Sequence, residues 1–278
     1  MDGHPHLLNT LTKYNHMKRK PAVAGMFYPG NPETLKKMVN KYIADAKDFD
    51  LPNLKALICP HAGYPYSGPI AGYSYRQIKT LKKKPKTYFL LGPTHYAYID
   101  VAVGNYEAFQ TPLGEVTVDQ KICAELENKG IPFIPQAHIP EHSLEVQLPF
   151  LQIVDSKAQI VPILCGSVHP DDLAEKLDPY FNKPDTFFLV SSDLSHYLPY
   201  DEAVMRDQNS LKMIEFMDLS KEDQIDACGN IGIRTLMRLA KNNGYKIKLL
   251  DYRNSGDTAG DKSQVVGYGA LAVYKTTK

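Results

Sequence analysis

The 278-residue chain has no tryptophan, only four cysteines and a formal net charge of just +1, and these scarcities exclude several classes of protein. The cysteines form no CxxC pair, which indicates a reduced, cytoplasmic protein rather than a disulfide-rich secreted one. Lysine and arginine (32) balance aspartate and glutamate (31), so the composition gives no support for a nucleic-acid or membrane partner. Long apolar runs are also missing, since no stretch approaches the roughly 20 apolar residues that a membrane helix needs.

The patterns along the chain predict one domain preceded by a short leader. Residues 1–16 hold three of the nine histidines but no regular pattern, and we expect a disordered leader there. Between residues 17 and 278, short apolar segments alternate with helical patterns of ten or more residues. This alternation favours a single α/β domain with a mixed, mainly parallel central sheet flanked by helices.

Three apolar segments are each followed at once by a polar turn that carries a histidine. These segments span residues 55–59, 88–91 and 187–190, and the turns after them carry His61, His95, and Asp193 with His196. Continuous apolar runs of this length are typical of strands buried on both faces. Because ligands bind beyond the carboxyl ends of the strands in such sheets, we expect these side chains to converge on one metal or acid/base site.

Each of these residues can also have a purely structural role, without binding a metal or taking part in catalysis. His61 and His95 can each bond a loop carbonyl, since histidine is a common loop residue as well as a common ligand. Asp193 can cap a helix and leave His196 exposed. Two histidines at equivalent strand ends nevertheless favour a shared site, in which Asp193 and His196 offer a carboxylate and a base.

A helix is predicted over residues 141–153, opening with Glu141, His142 and Ser143 directly after a proline. At this helix N-terminus the dipole would disfavour the charged form of His142 and leave a neutral donor or acceptor. Alternatively, Glu141 and Glu145 simply favour the first turn, and the segment carries no chemistry.

Cys228 lies in a break within the helical pattern of residues 201–242, next to Gly229. A glycine there is costly unless it ends or kinks the helix, so the break can present the cysteine to a pocket. A thiolate in a pocket is a strong metal ligand or nucleophile. Taken alone, however, a cysteine such as Cys228 is more often a small buried hydrophobe.

Six motifs occur in an order that resembles one known family. They are Ala24-Gly25-Met26-Phe27-Tyr28-Pro29, Pro60-His61-Ala62-Gly63-Tyr64, Leu91-Gly92-Pro93-Thr94-His95, Glu141-His142-Ser143-Leu144-Glu145, Ser191-Ser192-Asp193-Leu194-Ser195-His196 and Cys228-Gly229. From about residue 20 to residue 274, the chain is similar to the Memo family, named for mediator of receptor-driven cell motility. The fold of that family is similar to the catalytic subunit of class III extradiol dioxygenases, which are non-haem iron enzymes.

The resemblance implies a role for each of six residues. Carried across by motif, the metal ligands are His61, His95 and Cys228, and the catalytic residues beside them are His196, Asp193 and His142. In the dioxygenases, two histidines and a carboxylate hold iron(II) on one face. A cysteine in place of the carboxylate is a softer ligand, so the implied cofactor is iron(II) or copper.

Three functions follow as alternatives. The first is a metal-dependent oxidoreductase in which His196 acts as general base toward a small, aromatic substrate and Asp193 orients it. The second is a non-enzymatic adaptor whose pocket binds a phosphorylated or acidic peptide, and it is weakened by Asn230, where animal members of the family carry an arginine. The third is a hydrolase that uses Cys228 with His196.

Overall fold

The computed structural model describes residues 17–276, and the expected leader over residues 1–16 lies outside the described residues. Its strands are β1 (Lys18–Arg19), β2 (Ala56–Cys59), β3 (Thr87–Pro93), β4 (Val101–Val103), β5 (Ala108–Thr111), β6 (Gly114–Val118), β7 (Gln159–Cys165), β8 (Thr186–Ser191), β9 (His196–Leu198), β10 (Lys246–Asn254) and β11 (Val265–Tyr274). Its α-helices are α1 (Pro32–Asp45), α2 (Tyr64–Lys79), α3 (Gln120–Asn128), α4 (Pro135–His138), α5 (Leu148–Val154), α6 (Pro170–Phe181), α7 (Tyr200–Glu215), α8 (Asn230–Asn242) and α9 (Ser255–Ala259). Short 3₁₀ turns lie at Glu145–Gln147 and Glu222–Gln224.

Within residues 17–276, the strands form one eleven-stranded sheet whose centre is parallel, in the order β6-β7-β3-β8-β2. Antiparallel strands extend it on both sides, with β5 beside β6 and with β11 and then β10 beyond β2. Strands β3 and β8 are buried at every residue, as expected of parallel strands that are covered on both faces. The predicted α/β fold with a mixed, mainly parallel sheet flanked by helices is confirmed.

Some of the helices begin at residues whose side chains cap them. Helix α1 begins after Asn31, whose side chain accepts the N–H of Thr34, and Pro32 occupies the first helical position. Asp119 caps α3 in the same way by accepting the N–H of Ile122. In the described part of the chain, no helix combines the length and the apolar character needed to cross a membrane.

The order of the central strands brings the three histidine-bearing strand ends together. Strand β8 lies between β2 and β3 and pairs Ser191 with Cys59 on one side and Val190 with Leu91 on the other. The loops that follow β2, β3 and β8 therefore leave the same edge of the sheet side by side. This adjacency is what positions the site described below.

The helix expected over residues 141–153 begins later than the sequence indicates. The structure has a 3₁₀ turn at Glu145–Gln147 and then α5, so residues 141–144 form a loop. The physical reason is that side chains satisfy the backbone of this segment. The carboxylate of Glu141 accepts the N–H groups of His142 and Ser143, and Arg19 donates to the carbonyl of Glu141. His142 therefore lies three residues before the first 3₁₀ residue, and the neutral ring expected for it comes from burial.

A buried ion pair anchors this loop to the N-terminal strand. The guanidinium of Arg19 pairs with the carboxylate of Glu145, and the two side chains expose 1% and 0% of their surface. Glu145 also accepts the hydroxyl of Tyr28 at 2.6 Å and the N–H of Val23 at 3.0 Å. Glu145 therefore lies in the first turn, as the sequence pattern suggests, and is a tertiary anchor as well.

Replacing Arg19 tests the energetic weight of this anchor. Arg19→Met leaves the Glu145 carboxylate buried without its cation, and removing one partner of a buried pair typically costs about 3–5 kcal/mol. We expect a loss near the lower end of that range in urea unfolding, because Tyr28 and main-chain N–H groups still solvate the carboxylate.

The matched control is Lys41→Met, which breaks an exposed pair with Asp45. It should change the free energy of unfolding by about 0.5 kcal/mol or less. Equal effects of the two substitutions would contradict the anchoring role of Arg19.

Candidate metal centre

Three imidazole rings meet at the edge of the sheet where β2, β3 and β8 end. His61, His95 and His142 each offer one ring nitrogen, and these three atoms lie within 4.8 Å of one another. The ring centroids of His95 and His142 are 4.6 Å apart, and that of His61 is 5.4 Å from His95 and 5.6 Å from His142. Such spacing allows one metal ion to be shared by all three rings.

Each ring reaches this point from a different segment. His61 follows β2, His95 follows β3, and His142 lies in the loop before the 3₁₀ turn Glu145–Gln147. His61 is 2% exposed and His142 9% exposed, whereas the side chain of His95 is 30% exposed. The protein therefore shields His61 and His142 from solvent, and solvent contacts the centre at the ring of His95.

The carboxylate of Glu141 holds two of the three rings in place. It accepts the main-chain N–H of His95 at 2.5 Å and lies 2.9 Å from Nδ1 of the same ring. It also accepts the main-chain N–H groups of His142 and Ser143, both at 2.8 Å. Burial acts to raise the pKa of Glu141, but these hydrogen bonds outweigh it and lower the pKa to about 2. Because a carboxylate only accepts, His95 carries its hydrogen on Nδ1 and presents Nε2 to a ligand.

Asp193 holds the third ring through the main chain. Its Oδ1 accepts the N–H of His61 at 2.8 Å, across 132 residues of sequence. Burial raises the pKa of Asp193, since desolvation of its carboxylate outweighs the hydrogen bonds that it accepts. Asp193 is thus a structural clamp on the loop after β2.

Burial keeps two of the rings neutral. Desolvation, helped by the charges of the neighbouring histidines, lowers the pKa of His61 to about 3 and the pKa of His142 to about 4. Nδ1 of His142 is buried without a hydrogen-bond partner, 3.4 Å from a Glu141 oxygen. Neutral imidazole is the form that binds metal, so these rings are ready ligands at neutral pH.

Cys228 reaches the same point from the loop before α8. Its Sγ lies 3.4 Å from Nε2 of His61 and accepts the N–H of Asp193 at 3.2 Å. Gly229 allows this approach, because a Cβ there would lie 2.5 Å from the carbonyl oxygen of Ser191. Burial raises the pKa of the Cys228 thiol to about 12, so the thiol is protonated unless a cation binds beside it.

The structure thus brings together five of the six residues that the sequence and the resemblance pointed to as a site. They are His61, His95, His142, Asp193 and Cys228. His142, expected as a catalytic residue rather than as a ligand, is one of the three clustered imidazoles, while the assignment of Cys228 as a ligand stays a prediction.

His196 lies on β9, which pairs with the beginning of β11, and its side chain is exposed. Within the described residues, Asp193 makes no hydrogen bond to His196 and instead holds His61. The charge of His196 nevertheless acts on the carboxylate of Asp193, whose pKa it lowers, so orientation of His196 by Asp193 stays a prediction. The role of His196 as a general base stays a prediction.

An open cleft of about 1200 Å³ adjoins the centre. His95 and Cys228 line it together with Tyr96 and Tyr98, whose rings are exposed. Asp100 is the acidic residue in its wall, and no lysine or arginine of the described chain lines it. The cleft therefore offers aromatic surface and no cationic recognition group.

Comparison with known proteins identifies the family. The family model for Memo-like proteins matches residues 19–272. The chain belongs to the Memo family. MEMO1 family proteins from Sulfolobus acidocaldarius and Archaeoglobus fulgidus are 38% and 37% identical, each over 91% of this chain and 98% of the relative. The one from Nitrosopumilus maritimus is 37% identical over 92% of this chain and 99% of the relative. The resemblance seen in the six motifs is confirmed.

A solved structure shares the fold of this Memo family member. The crystal structure of the uncharacterized protein JW3007 from Escherichia coli K12 superimposes with a TM-score of 0.55, covering 78% of this chain and 99% of that one. The two sequences are 11% identical, so the likeness concerns the fold alone.

Three residues important to the site were not among the site residues expected from the sequence. Glu141 holds His95 and His142, while Ser191 and Gln147 contact His61 directly or through one another. Ser191 and Glu141 both lie inside the motifs that carry the family resemblance, and that position is the available signal for them.

The lowered pKa values of His61 and His142 predict how metal-free protein responds to acid. Below pH 6.5 both rings take up protons in the unfolded chain. In the folded chain, His142 takes up its proton only near pH 4 and His61 only near pH 3. The free energy of unfolding should therefore fall as the pH drops from 6.5 toward 4. His142→Gln should reduce this slope by about 1 kcal/mol per pH unit in urea titrations at pH 7, 6 and 5.

The control for this titration is His169→Gln, since His169 has a side chain that is 62% exposed. The slope in this variant is the reference against which the effect of His142→Gln is measured. An equal slope in His142→Gln would show that His142 is not held neutral by burial.

Proposed function

We propose that this protein binds one transition-metal ion through His61, His95 and His142 and uses it in an oxidoreductase reaction on a small aromatic substrate. The observation that carries the proposal is the cluster of three ring nitrogens within 4.8 Å at the carboxyl ends of adjacent parallel strands. Open α/β sheets bind their ligands at this edge. Cys228, beside His61, is a fourth candidate donor.

The residues of the cluster fit a divalent cation. Two of the imidazoles are neutral at pH 7, and Nδ1 of His142 has no hydrogen-bond partner. The buried carboxylate of Glu141 is ionised beside them, so a cation bound at the rings would also be attracted by its charge. A carboxylate behind a ligating histidine is the usual arrangement that orients such a ring.

Iron(II) or copper, when bound, would supply one-electron chemistry at coordination positions that the protein leaves open. The chain's own contribution is to hold the ligands, to exclude water on the buried side and to receive the substrate in the cleft. Tyr96 and Tyr98 offer rings against which an aromatic substrate can stack. His196 is proposed to take up the proton of a substrate hydroxyl.

The lining of the cleft favours this proposal over an adaptor that binds phosphorylated or acidic peptides. Recognition of such a peptide depends on arginine clusters or comparable cations. The lining of the cleft contains Asp100 and Asn230 but, in the described chain, no lysine or arginine. A site of this character binds an anionic segment weakly.

A hydrolase that uses Cys228 is favoured by one distance, the 3.4 Å between its Sγ and Nε2 of His61. The electrostatics oppose it. Burial raises the pKa of the thiol to about 12 and lowers the pKa of His61 to about 3, so neither the thiolate nor the imidazolium of an activated pair forms near pH 7. His196, the partner expected from the sequence, is not the histidine that contacts the thiol.

Anaerobic equilibrium dialysis against iron(II), with elemental analysis, tests the ligand set. Wild-type protein should retain one ion per chain. His61→Gln, His95→Gln and His142→Gln should each weaken binding by about 100-fold or more, because loss of even an outer partner of a ligand typically costs 10–100-fold. The exposed His169→Gln should bind as wild type does. Binding that survives all three substitutions would exclude this centre.

Copper tests the place of Cys228. If its sulfur is a ligand, copper(II)-loaded protein should show a visible sulfur-to-copper charge-transfer absorption. Cys228→Ala should abolish the absorption, while Cys123→Ala, which removes a fully buried thiol on α3, should retain it. Absorption that persists in Cys228→Ala, or is missing from wild type, would show that Cys228 is not a copper ligand.

A further inference from the structure

A chain of buried polar groups leads from helix α2 to the ring of His61. The hydroxyl of Tyr75 donates to Oε1 of Gln147 at 2.9 Å, and Nε2 of Gln147 donates to Oγ of Ser191 at 2.7 Å. Oγ of Ser191 in turn lies 2.9 Å from Nδ1 of His61. All four residues are 2% exposed or less, so their polar atoms depend on one another for hydrogen bonds.

Two backbone carbonyls determine where the hydrogens of this chain lie. Nε2 of Gln147 is 2.9 Å from the carbonyl oxygen of Pro60, which can only accept, so the amide nitrogen must face Pro60 and Ser191. Oγ of Ser191 is 2.6 Å from the carbonyl oxygen of Ser143, and the single hydroxyl hydrogen points there. With that hydrogen used, Ser191 can only accept from the ring of His61.

We infer that Ser191 and Gln147 hold His61 in the tautomer that carries its hydrogen on Nδ1. The lone pair of the ring is then on Nε2, the atom that lies 3.4 Å from Sγ of Cys228. His95 reaches the same tautomer by a different route, since its Nδ1 faces the carboxylate of Glu141. One ring is thus set by a charged acceptor and the other by a neutral hydroxyl.

The consequence for metal binding rests on the proposed function. A ring preset with its lone pair on Nε2 needs no exchange of hydrogen before an ion binds, so Ser191 and Gln147 act as positioning residues. Loss of an outer partner of this kind typically lowers metal affinity about 10–100-fold. The tautomer itself is a property of the metal-free protein and can be measured without any ion.

Nitrogen NMR of metal-free protein labelled with ¹⁵N in the histidine rings tests the inference directly. The signals of His61 are assigned as those lost in His61→Gln. Wild-type protein should show the hydrogen of His61 on Nδ1 and the bare nitrogen at Nε2. Finding the hydrogen on Nε2 would overturn the inference, and this spectrum decides even if a Ser191 variant fails to fold.

Ser191→Ala tests whether the hydroxyl is the cause. The Nε2–H tautomer of His61 should become populated in this variant, and zinc affinity measured by titration should fall by about 10-fold or more. The matched control is Ser74→Ala, which removes an equally buried hydroxyl that donates to the carbonyl of Ile58 in β2, and it should change neither reading.

The possible failures of the two proposals are distinguishable. A Ser191→Ala spectrum with the Nδ1–H tautomer alone would overturn the role of Ser191. Wild-type protein that binds no zinc would contradict the proposed metal function. The tautomer of His61 would still be decided by the ¹⁵N spectra of metal-free protein.

Discussion

The carboxylate of Glu141 is the interaction on which the candidate centre depends. It accepts hydrogen bonds from the main-chain N–H and from Nδ1 of His95, which follows β3. It also accepts the main-chain N–H of His142 in its own loop. Arg19, paired with Glu145, holds the same loop from behind by donating to the carbonyl of Glu141. Without this carboxylate two of the three rings would have no common anchor. Its negative charge, buried and ionised, also makes the site favourable for a cation.

The parts of this arrangement that follow local rules could be predicted from the sequence, and the parts that depend on distant partners could not. Buried strands that end in a histidine turn are visible as apolar runs, and so His61 and His95 were placed correctly at one edge of the sheet. Glu141 acts on His95, 46 residues away, and Arg19 acts on Glu141, 122 residues away. The spacing of residues within one helix or strand cannot predict a contact between segments so far apart in sequence. The same contacts explain why the helix expected from residue 141 begins only later.

Burial has opposite chemical effects on the two kinds of donor at this site. It makes the imidazoles of His61 and His142 neutral, which prepares them as ligands, and it keeps the thiol of Cys228 protonated, which prevents it from acting as a free nucleophile. A metal ion can bind both kinds of donor, because it binds neutral imidazole directly and lowers the pKa of a nearby thiol until the thiolate forms. The wall of the cleft contains Asp100 and, in the described chain, no lysine or arginine, so it offers an anionic molecule no cationic partner.

X-ray absorption spectroscopy of zinc-loaded protein tests the central claim most directly, because it reports the identity of the atoms around the ion. The arrangement predicts outer scattering typical of imidazole from three histidines and metal–nitrogen distances of about 2.0–2.1 Å. An additional sulfur at about 2.3 Å would place Cys228 in the coordination sphere beside them. A sphere with fewer than three imidazoles would contradict a metal centre formed by His61, His95 and His142.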